Sequence, residues 1–283
     1  MDVVRPDDAA AFLRLAGPLL EVDEARNQLP LAIASTLVEH PDAYDSVHLW
    51  VAMDADRPVA AALRTEPYNL VLADPELGTN LEPLLSAVLE DDPAVPGIVA
   101  NSPHADPAGG FLARTSGRTA ERSLEEGVYA LTWVEDVPRA AGAHRRADDT
   151  DRALLIAWLV AFEAEALPHH EVDVSRHERT LDTRFSSESA GIWLWEDGDV
   201  PVSLAGYSGP TPTGIRVGPV YTPPEHRRHG YATTLVADLS QWLLGQGYRS
   251  CFLYTDLSNP TSNGIYSAIG YRKVGEAIEI RFV

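Results

Sequence analysis

Cysteine is nearly absent from this chain of 283 residues, where Cys251 stands alone. One thiol excludes an intramolecular disulfide and any Cys-rich zinc site. Lysine is as scarce, with Lys273 the only one, and that habit of composition carries no functional reading. Long apolar runs are missing too: none reaches the roughly 18 residues that a spanning helix needs. The opening MDVVRPDDAA places acids and a proline where a secretory leader would carry basic residues and then an apolar stretch. These absences lead to the expectation of a cytoplasmic protein with no membrane partner.

Positive charge is also in short supply. The chain has 22 Lys+Arg against 42 Asp+Glu, a net charge of −20. A polyanion repels phosphate backbones, so nucleic acid is not expected among its partners. The deficit is uneven: residues 1–138 hold 8 Arg against 24 Asp+Glu, net −16, whereas residues 139–283 are net −4. Such a surface keeps a protein dissolved, and it would also attract a cationic partner.

What is present suits compact domains. Hydrophobic residues make up 45% of the chain, and its length fits two domains of about 100–200 residues each. The stretch 135–142, EDVPRAAG, lacks apolar periodicity and contains proline and glycine, so the expected domains are 1–138 and 143–283. In the second half, HRRADDTDRALLIAWLVAFEAEA reads as a strand and then a helix capped by Thr150 or a nearby aspartate. Its apolar face is Leu154, Leu155, Trp158, Leu159 and Phe162. A second helix is expected over 174–184. GIWLWED is apolar on both alternations, as in a strand buried on both faces. Asp197-Gly198-Asp199 turns it into VPVSLAGYS, and GIRVGPVYT, an amphipathic helix through Leu235 and Leu243, and CFLYTDL follow. Asn259-Pro260 supplies an N-cap and a first-turn proline for a short helix, and the chain closes on a strand.

The first half follows the same order. A strand and helix (VVRPDDAAAFLRLAGPLL) precede a helix over 23–39 and a hairpin around 54–58. YNLVLAD, a helix over 77–89, PGIVAN and GVYALTWV complete it. Two units written β-α-α-β-β-β-α-β-α-β suggest a duplicated α/β domain.

Chemistry concentrates in Arg227-Arg228-His229-Gly230-Tyr231-Ala232, between the strand GIRVGPVYT and the next helix. A helix N-terminus leaves backbone N–H groups without partners and adds the positive end of the helix dipole. Gly230 and Ala232 let that backbone approach an anion closely, and Arg227 and Arg228 add full charges. The pattern is neither GxxxxGK[ST] nor GxGxxG, so it is neither a Walker loop nor a dinucleotide fingerprint.

Arg227, Gly230 and Ala232 fall on the signature Arg/Gln-x-x-Gly-x-Gly/Ala, preceded by Val220-Tyr221-Thr222-Pro223-Pro224-Glu225-His226. Asn259 is followed by Tyr266 after seven residues and by Gly270-Tyr271 four residues later. On these paired motifs the second half, residues 143–283, resembles the GCN5-related N-acetyltransferases, the GNAT family. The resemblance implies two tandem GNAT-like domains of α/β (α+β) class, each a mixed, mostly antiparallel central sheet flanked by helices. It implies an N-acetyltransferase using acetyl-CoA as co-substrate and no metal, with a small-molecule or peptide amine as acceptor; a homodimer stays open. By resemblance the backbone of Val220, Tyr221 and Thr222 would bind the pantetheine arm. Arg228, His229, Gly230, Tyr231, Ala232 and Thr233, with Arg227 of the motif, would surround the pyrophosphate. Asn259 would contact the pantetheine side, and Tyr266 would protonate the departing thiolate.

No motif names a general base; Glu163, His169, His170 and Glu171 border the region where the family places its acceptor. The adjacent pair His169-His170 reads as surface loop rather than metal ligand, and Cys251 as a small apolar strand residue. The first half has PELGTNLEP where its phosphate turn should fall and lacks the Asn-to-Tyr spacing. It is expected to be a degenerate GNAT-like copy without the pyrophosphate motif. Two other readings stay open: an acyl-CoA-sensing module without catalysis, and a binder of some other phosphorylated ligand.

Overall fold

The structure is a computed structural model that describes residues 1–166 and 173–283. Two compact units emerge, one of Met1–Val128 with Lys273–Val283, the other of Tyr129–Arg272.

In the first unit the chain runs through β1 (Asp2–Val4), α1 (Ala9–Leu20), α2 (Gln28–Glu39), β2 (Val47–Asp54), β3 (Arg57–Thr65) and β4 (Leu70–Leu72). It continues through α3 (Glu82–Asp91), β5 (Gly97–Asn101), α4 (Ala105–Thr115) and β6 (Ala120–Leu131). Strands β1, β2, β3 and β4 pair antiparallel in that order, and β4 pairs parallel with β5. The next neighbour of β5 is the last strand of the chain, β12 (Arg272–Phe282), antiparallel with Ile280 opposite Ile98.

The alternation of strand side chains explains why β2 is apolar at every central position. Trp50 and Ala52 face α3 and α4, joining Leu84, Leu85, Val88, Leu112 and Ile98. Leu49 and Val51 face α1 and α2, joining Phe12, Leu20 and Leu31. Each such leucine taken fully from water contributes roughly 1.5–3 kcal/mol.

The second unit runs β7 (Ala143–Arg146), α5 (Arg152–Ala166), α6 (Val174–Ser186), β8 (Gly191–Asp197), β9 (Val200–Pro210) and β10 (Gly214–Tyr221). Then come α7 (Tyr231–Gly245), β11 (Ser250–Asp256) and α8 (Pro260–Ile269). With β12 the second half therefore repeats the ten-element order of the first. Strands β7 to β10 pair antiparallel, β10 pairs parallel with β11, and the end of β6 follows β11 in the sheet order. As the alternation in GIWLWED requires, Ile192 and Leu194 pack under α5 and α6, while Trp193 and Trp195 join the cluster under α7 and α8.

Caps set the helix starts. The Asp148 carboxylate accepts from Thr150 N, and Asp151 accepts from Asp148 N in return, so the aspartates rather than the threonine side chain lead the chain into α5. Asp173 caps α6 through Ser175 N at 2.9 Å, and Asp8 caps α1 through Ala11 N at 2.7 Å.

Four details differ from the sequence expectation. Helix α2 begins at Gln28 rather than at 23, where the chain makes a short 3-10 turn over Glu21–Asp23. The compact units exchange strand segments relative to a boundary at 138–143: residues 129–138 go with the second unit and 273–283 with the first. Helix α3 begins at Glu82 rather than near 77, because Gly78 takes φ +83 and Pro83 fits the first turn. Helix α4, ADPAGGFLART, was not located, since a proline and two glycines conceal it. Gly109 is required there by packing: a Cβ would lie 2.8 Å from Ile280 Cδ1 and 3.3 Å from Ile98 Cγ2.

Candidate functional site

The site expected from sequence lies in the second unit, where β10 parts from β11. Gly214, Ile215 and Arg216 pair with Ser250, Cys251 and Phe252, and among the described residues that ladder ends there. Strand β10 runs on to Tyr221, paired with β9. Val217 is opposite Tyr207 and Val220 opposite Ala205, so Gly218 and Pro219 together face Gly206: a β-bulge. Past the bulge Ser203 Oγ bonds the Tyr221 carbonyl at 3.1 Å and Thr222 Oγ1 at 2.8 Å, fixing the end of β10 on β9.

From Thr222 the chain makes a 3-10 turn at Pro224–His226 and enters the loop before α7. Arg228 takes φ +68 and Gly230, the N-cap of α7, φ +81. These left-handed residues turn successive backbone N–H groups to one side, the arrangement of an anion-binding nest. No side chain caps Gly230, and the first helical bond runs from Thr234 N to Gly230 O at 3.0 Å. Among the described residues, no acceptor takes the backbone N–H groups of residues 228–233. Six consecutive donors thus stand unclaimed at a helix N-terminus.

The two arginines of the motif are used differently. Arg227 Nη2 donates to Glu165 at 2.7 and 2.9 Å, and Arg227 Nε donates to the Thr222 carbonyl at 2.8 Å. Its guanidinium also lies 5.9 Å from the Tyr221 ring centroid, and the Tyr221 hydroxyl reaches Glu165 at 3.4 Å. Arg227 therefore clamps the loop to α5 and is neutralised by Glu165. Arg228 is exposed and, among the described residues, has no ion-pair or hydrogen-bond partner. Only one of the two full charges is free for a ligand.

His229 stacks on Tyr231 with ring centroids 5.4 Å apart. The Tyr231 side chain turns inward, and its hydroxyl donates to Asp197 at the β8–β9 turn, which raises the phenol's pKa. Ala232 and Thr233 are half-buried in the first turn of α7, and Ala140 N donates to Thr234 Oγ1 at 2.9 Å. Gly230 is selected by conformation rather than space, since a Cβ there would meet nothing nearer than Ala140 Cβ at 3.9 Å.

The second motif places Asn259 at the start of α8 and brings Tyr266, near its end, against Tyr271. Asn259 Oδ1 accepts from Ser262 N at 3.1 Å, so its side chain caps α8. One turn on, Asn263 Nδ2 donates to the carbonyls of Asp256 and Leu257 at 3.1 and 3.3 Å, tying α8 to the end of β11. Tyr266 is buried edge-on against Tyr271, centroids 5.9 Å apart, and its hydroxyl has no hydrogen-bond partner among the described residues. Burial pushes its pKa up to about 12. Tyr271 shares a hydrogen bond of 2.8 Å with Ser240 Oγ, and its pKa is likewise raised, chiefly by burial. Cys251 is fully buried, with burial pushing its thiol up to about 12, so it is neither ionised nor accessible at neutral pH.

Of the acid and base candidates, Glu163 is buried on α5 with an oxygen 2.8 Å from His177 Nε2 of α6, a partner the sequence did not suggest. His169, His170 and Glu171 lie outside the described residues. Three further residues escaped sequence reasoning. Glu165 and Asn263 hold the motif loops, and Arg184 is buried beneath the bulge. Arg184 carries no recognisable spacing signal, because its partners are backbone carbonyls of other strands.

At the corresponding place in the first unit, the turn after β4 spends part of its amides internally: Glu76 N donates to Val59 O at 2.8 Å, Thr79 N to Glu76 O at 3.1 Å and Glu82 N to Asn80 Oδ1 at 3.1 Å. Asp74, Glu76 and Glu82 supply negative rather than positive charge. Where β4 and β5 part, Arg26 is paired with Asp74, and Asn101 Nδ2 donates to Asp74 at 3.0 Å and to Arg26 O at 2.9 Å. A polar cluster of the chain itself occupies that point.

Residues 153–271 match the model of the Acetyltransferase (GNAT) family. No curated protein matches the sequence. Among solved structures, the tandem GNAT protein from the clavulanic acid biosynthesis pathway superposes with a TM-score of 0.60 at 14% identity, over 99% of this chain and 98% of that one. The GCN5-related N-acetyltransferase from Sphaerobacter thermophilus gives 0.60 at 17%, over 99% and 95%. A GNAT-family acetyltransferase from Colwellia psychrerythraea gives 0.57 at 10%, over the whole of both chains. At such identities the likeness is one of fold, and it extends over both halves.

Proposed function

Since residues 153–271 form a domain of the GNAT acetyltransferase family, whose chemistry is acyl transfer, we propose that this protein moves an acetyl group from acetyl-CoA to a primary amine within a ternary complex. The row of unclaimed N–H groups over residues 228–233, flanked by the unpaired Arg228, carries this reading. A pyrophosphate offers the acceptors that such a row needs. Along the edge that β10 opens beyond Arg216, the backbone of Val220, Tyr221 and Thr222 suits an amide-rich pantetheine arm added as a strand.

Acetyl-CoA brings an acyl carbon already activated as a thioester. The amine nitrogen attacks that carbon, the C–N bond forms and the C–S bond breaks, the amine gives up a proton and the sulfur gains one. The protein's part is positioning, together with donors near the acyl oxygen, where negative charge develops. Tyr266 is the proposed proton donor to sulfur: burial keeps its phenol protonated at any pH below about 12. Asn259 serves that role by capping the helix that carries Tyr266. The acceptor is proposed to be a small-molecule or peptide amine, and the surplus of acid favours a cationic one such as a polyamine, an aminoglycoside or a lysine side chain.

Calorimetric titration with acetyl-CoA, followed by thiol release over a panel of such amines, tests the reading. One site per chain and amine-dependent CoA release are expected. Binding without turnover over the whole panel would mark a sensing module, and absence of binding would remove the donor assignment altogether.

A further inference from the structure

Arg184 of α6 is buried at 8% exposure, and its guanidinium gathers three strands. Nη1 donates to the carbonyls of Gly191 in β8 at 3.2 Å and Tyr207 in β9 at 2.9 Å. Nη2 donates to Ser208 Oγ at 3.2 Å and to the carbonyl of Gly218 in β10 at 3.1 Å. Gly218 is the first residue of the bulge. Opposite it, Gly206 leaves no room: a Cβ there would stand 2.7 Å from Gly218 O, 2.8 Å from Arg184 Nη1 and 3.1 Å from Pro219 Cδ. Guanidinium, glycine and bulge form one close-fitted unit, two residues beyond the last rung between β10 and β11.

Helix, hairpin and strand are held together without that fourth bond, because the bonds to Gly191 and Tyr207 already join α6 to β8 and β9. The bond to Gly218 does something else: it fixes the direction of a carbonyl at the mouth of the open edge. A carbonyl oxygen turned to that edge would oppose the negative charge that grows on an acyl oxygen during transfer. Pro219, the next residue, has no N–H with which to compensate. We propose that Arg184 is a positioning residue for acyl transfer, drawing the Gly218 carbonyl to the buried side and away from the acyl group, while Ser203 independently holds Tyr221 and Thr222 on β9. The inference rests on the acetyl-CoA reading above.

The test separates cofactor binding from turnover. Arg184→Met, Arg184→Lys and Gly206→Ala would each be titrated calorimetrically with CoA, and turnover measured per CoA site with the best amine of the panel. The pyrophosphate loop is untouched, so CoA affinity should stay within about threefold, while kcat per site falls roughly 100-fold in Arg184→Met, a loss of the size seen when transition-state electrostatics are removed. Arg184→Lys, which keeps a charge near Gly218, should recover part of it. Gly206→Ala presses on the Gly218 carbonyl with the arginine in place and should show the same split even where Arg184→Met does not fold. Unchanged kcat per site in the folded variants would overturn the positioning role and leave the acetyltransferase reading intact. Failure of the wild-type protein to bind CoA would overturn both.

Discussion

At the scale of single residues, the two motif arginines should behave differently when removed. Arg228→Ala deletes an unpaired guanidinium, so acetyl-CoA affinity should fall about tenfold, more steeply at low salt, with Tm unchanged. Arg227→Ala instead releases Glu165 and the Thr222 carbonyl, so the loop loosens and both Tm and affinity should drop. Calorimetric titration beside thermal melts of the two variants checks the contrast; equal Tm losses would deny Arg227 its clamping role. Tyr266→Phe removes a hydroxyl that bonds to no described residue, and Tm should therefore hold. Turnover at saturating acetyl-CoA should fall about 10²–10⁴-fold, the usual weight of a general acid. Wild-type kcat in that variant would dismiss Tyr266 as proton donor. The motif spacing made Arg227, Gly230, Ala232, Asn259 and Tyr266 legible before any coordinates. It could not say that Arg227 faces Glu165, because that depends on which distant residue folds against it, whereas the cap at Asn259 is a local feature that the sequence did show.

Among the elements, α4 shows where local preference and packing part company. Gly110 is half-buried, and a Cβ there would meet only the tip of Arg114, so Gly110→Ala should stabilise the protein by about 0.5–1 kcal/mol through helix propensity. Its neighbour Gly109 packs on Ile280 and Ile98, so Gly109→Val should destabilise it by about 1–3 kcal/mol. Urea unfolding of both variants measures the difference, and a stabilised Gly109→Val would mean that the contact with β12 is loose. The same element marks the limit of reading by pattern. Strands such as β8 announce themselves as short apolar runs bounded by turns and helices such as α7 through their period, whereas α4 is held by a tertiary contact that favours Gly109, one of the two glycines obscuring it. Arg184 is a parallel case, a charged residue on a polar-looking helix whose partners lie on three other strands.

For the molecule as a whole, three buried groups of the second unit make stability fall in alkali. Cys251 is raised from 9.0 to about 12 and Tyr266 from 10.0 to about 12, and Tyr271 moves in the same direction, each chiefly by burial. Above about pH 9 the unfolded chain therefore releases protons that the native protein still holds, and the unfolding free energy declines as pH rises toward 12. Urea midpoints at pH 8 and pH 10.5 should show a clear fall; a flat profile would mean that these groups are better solvated than their burial implies. The repeat of ten elements was visible in the sequence order, because caps, turns and periodicity recur in both halves. The exchange of strand segments was not, since which neighbour a strand such as β12 pairs with depends on tertiary contacts that its own sequence does not show.

That exchange has a consequence for biosynthesis. The first unit is closed by residues 273–283, which leave the ribosome only after the whole of the second unit. At about 5–20 residues per second, the roughly 150 residues in between take on the order of 10–30 seconds to make. Through that interval β5 waits with an unpaired edge, the kind of surface that recruits stray strands. The amino-terminal half therefore reaches its full set of paired strands only after the second unit has been made.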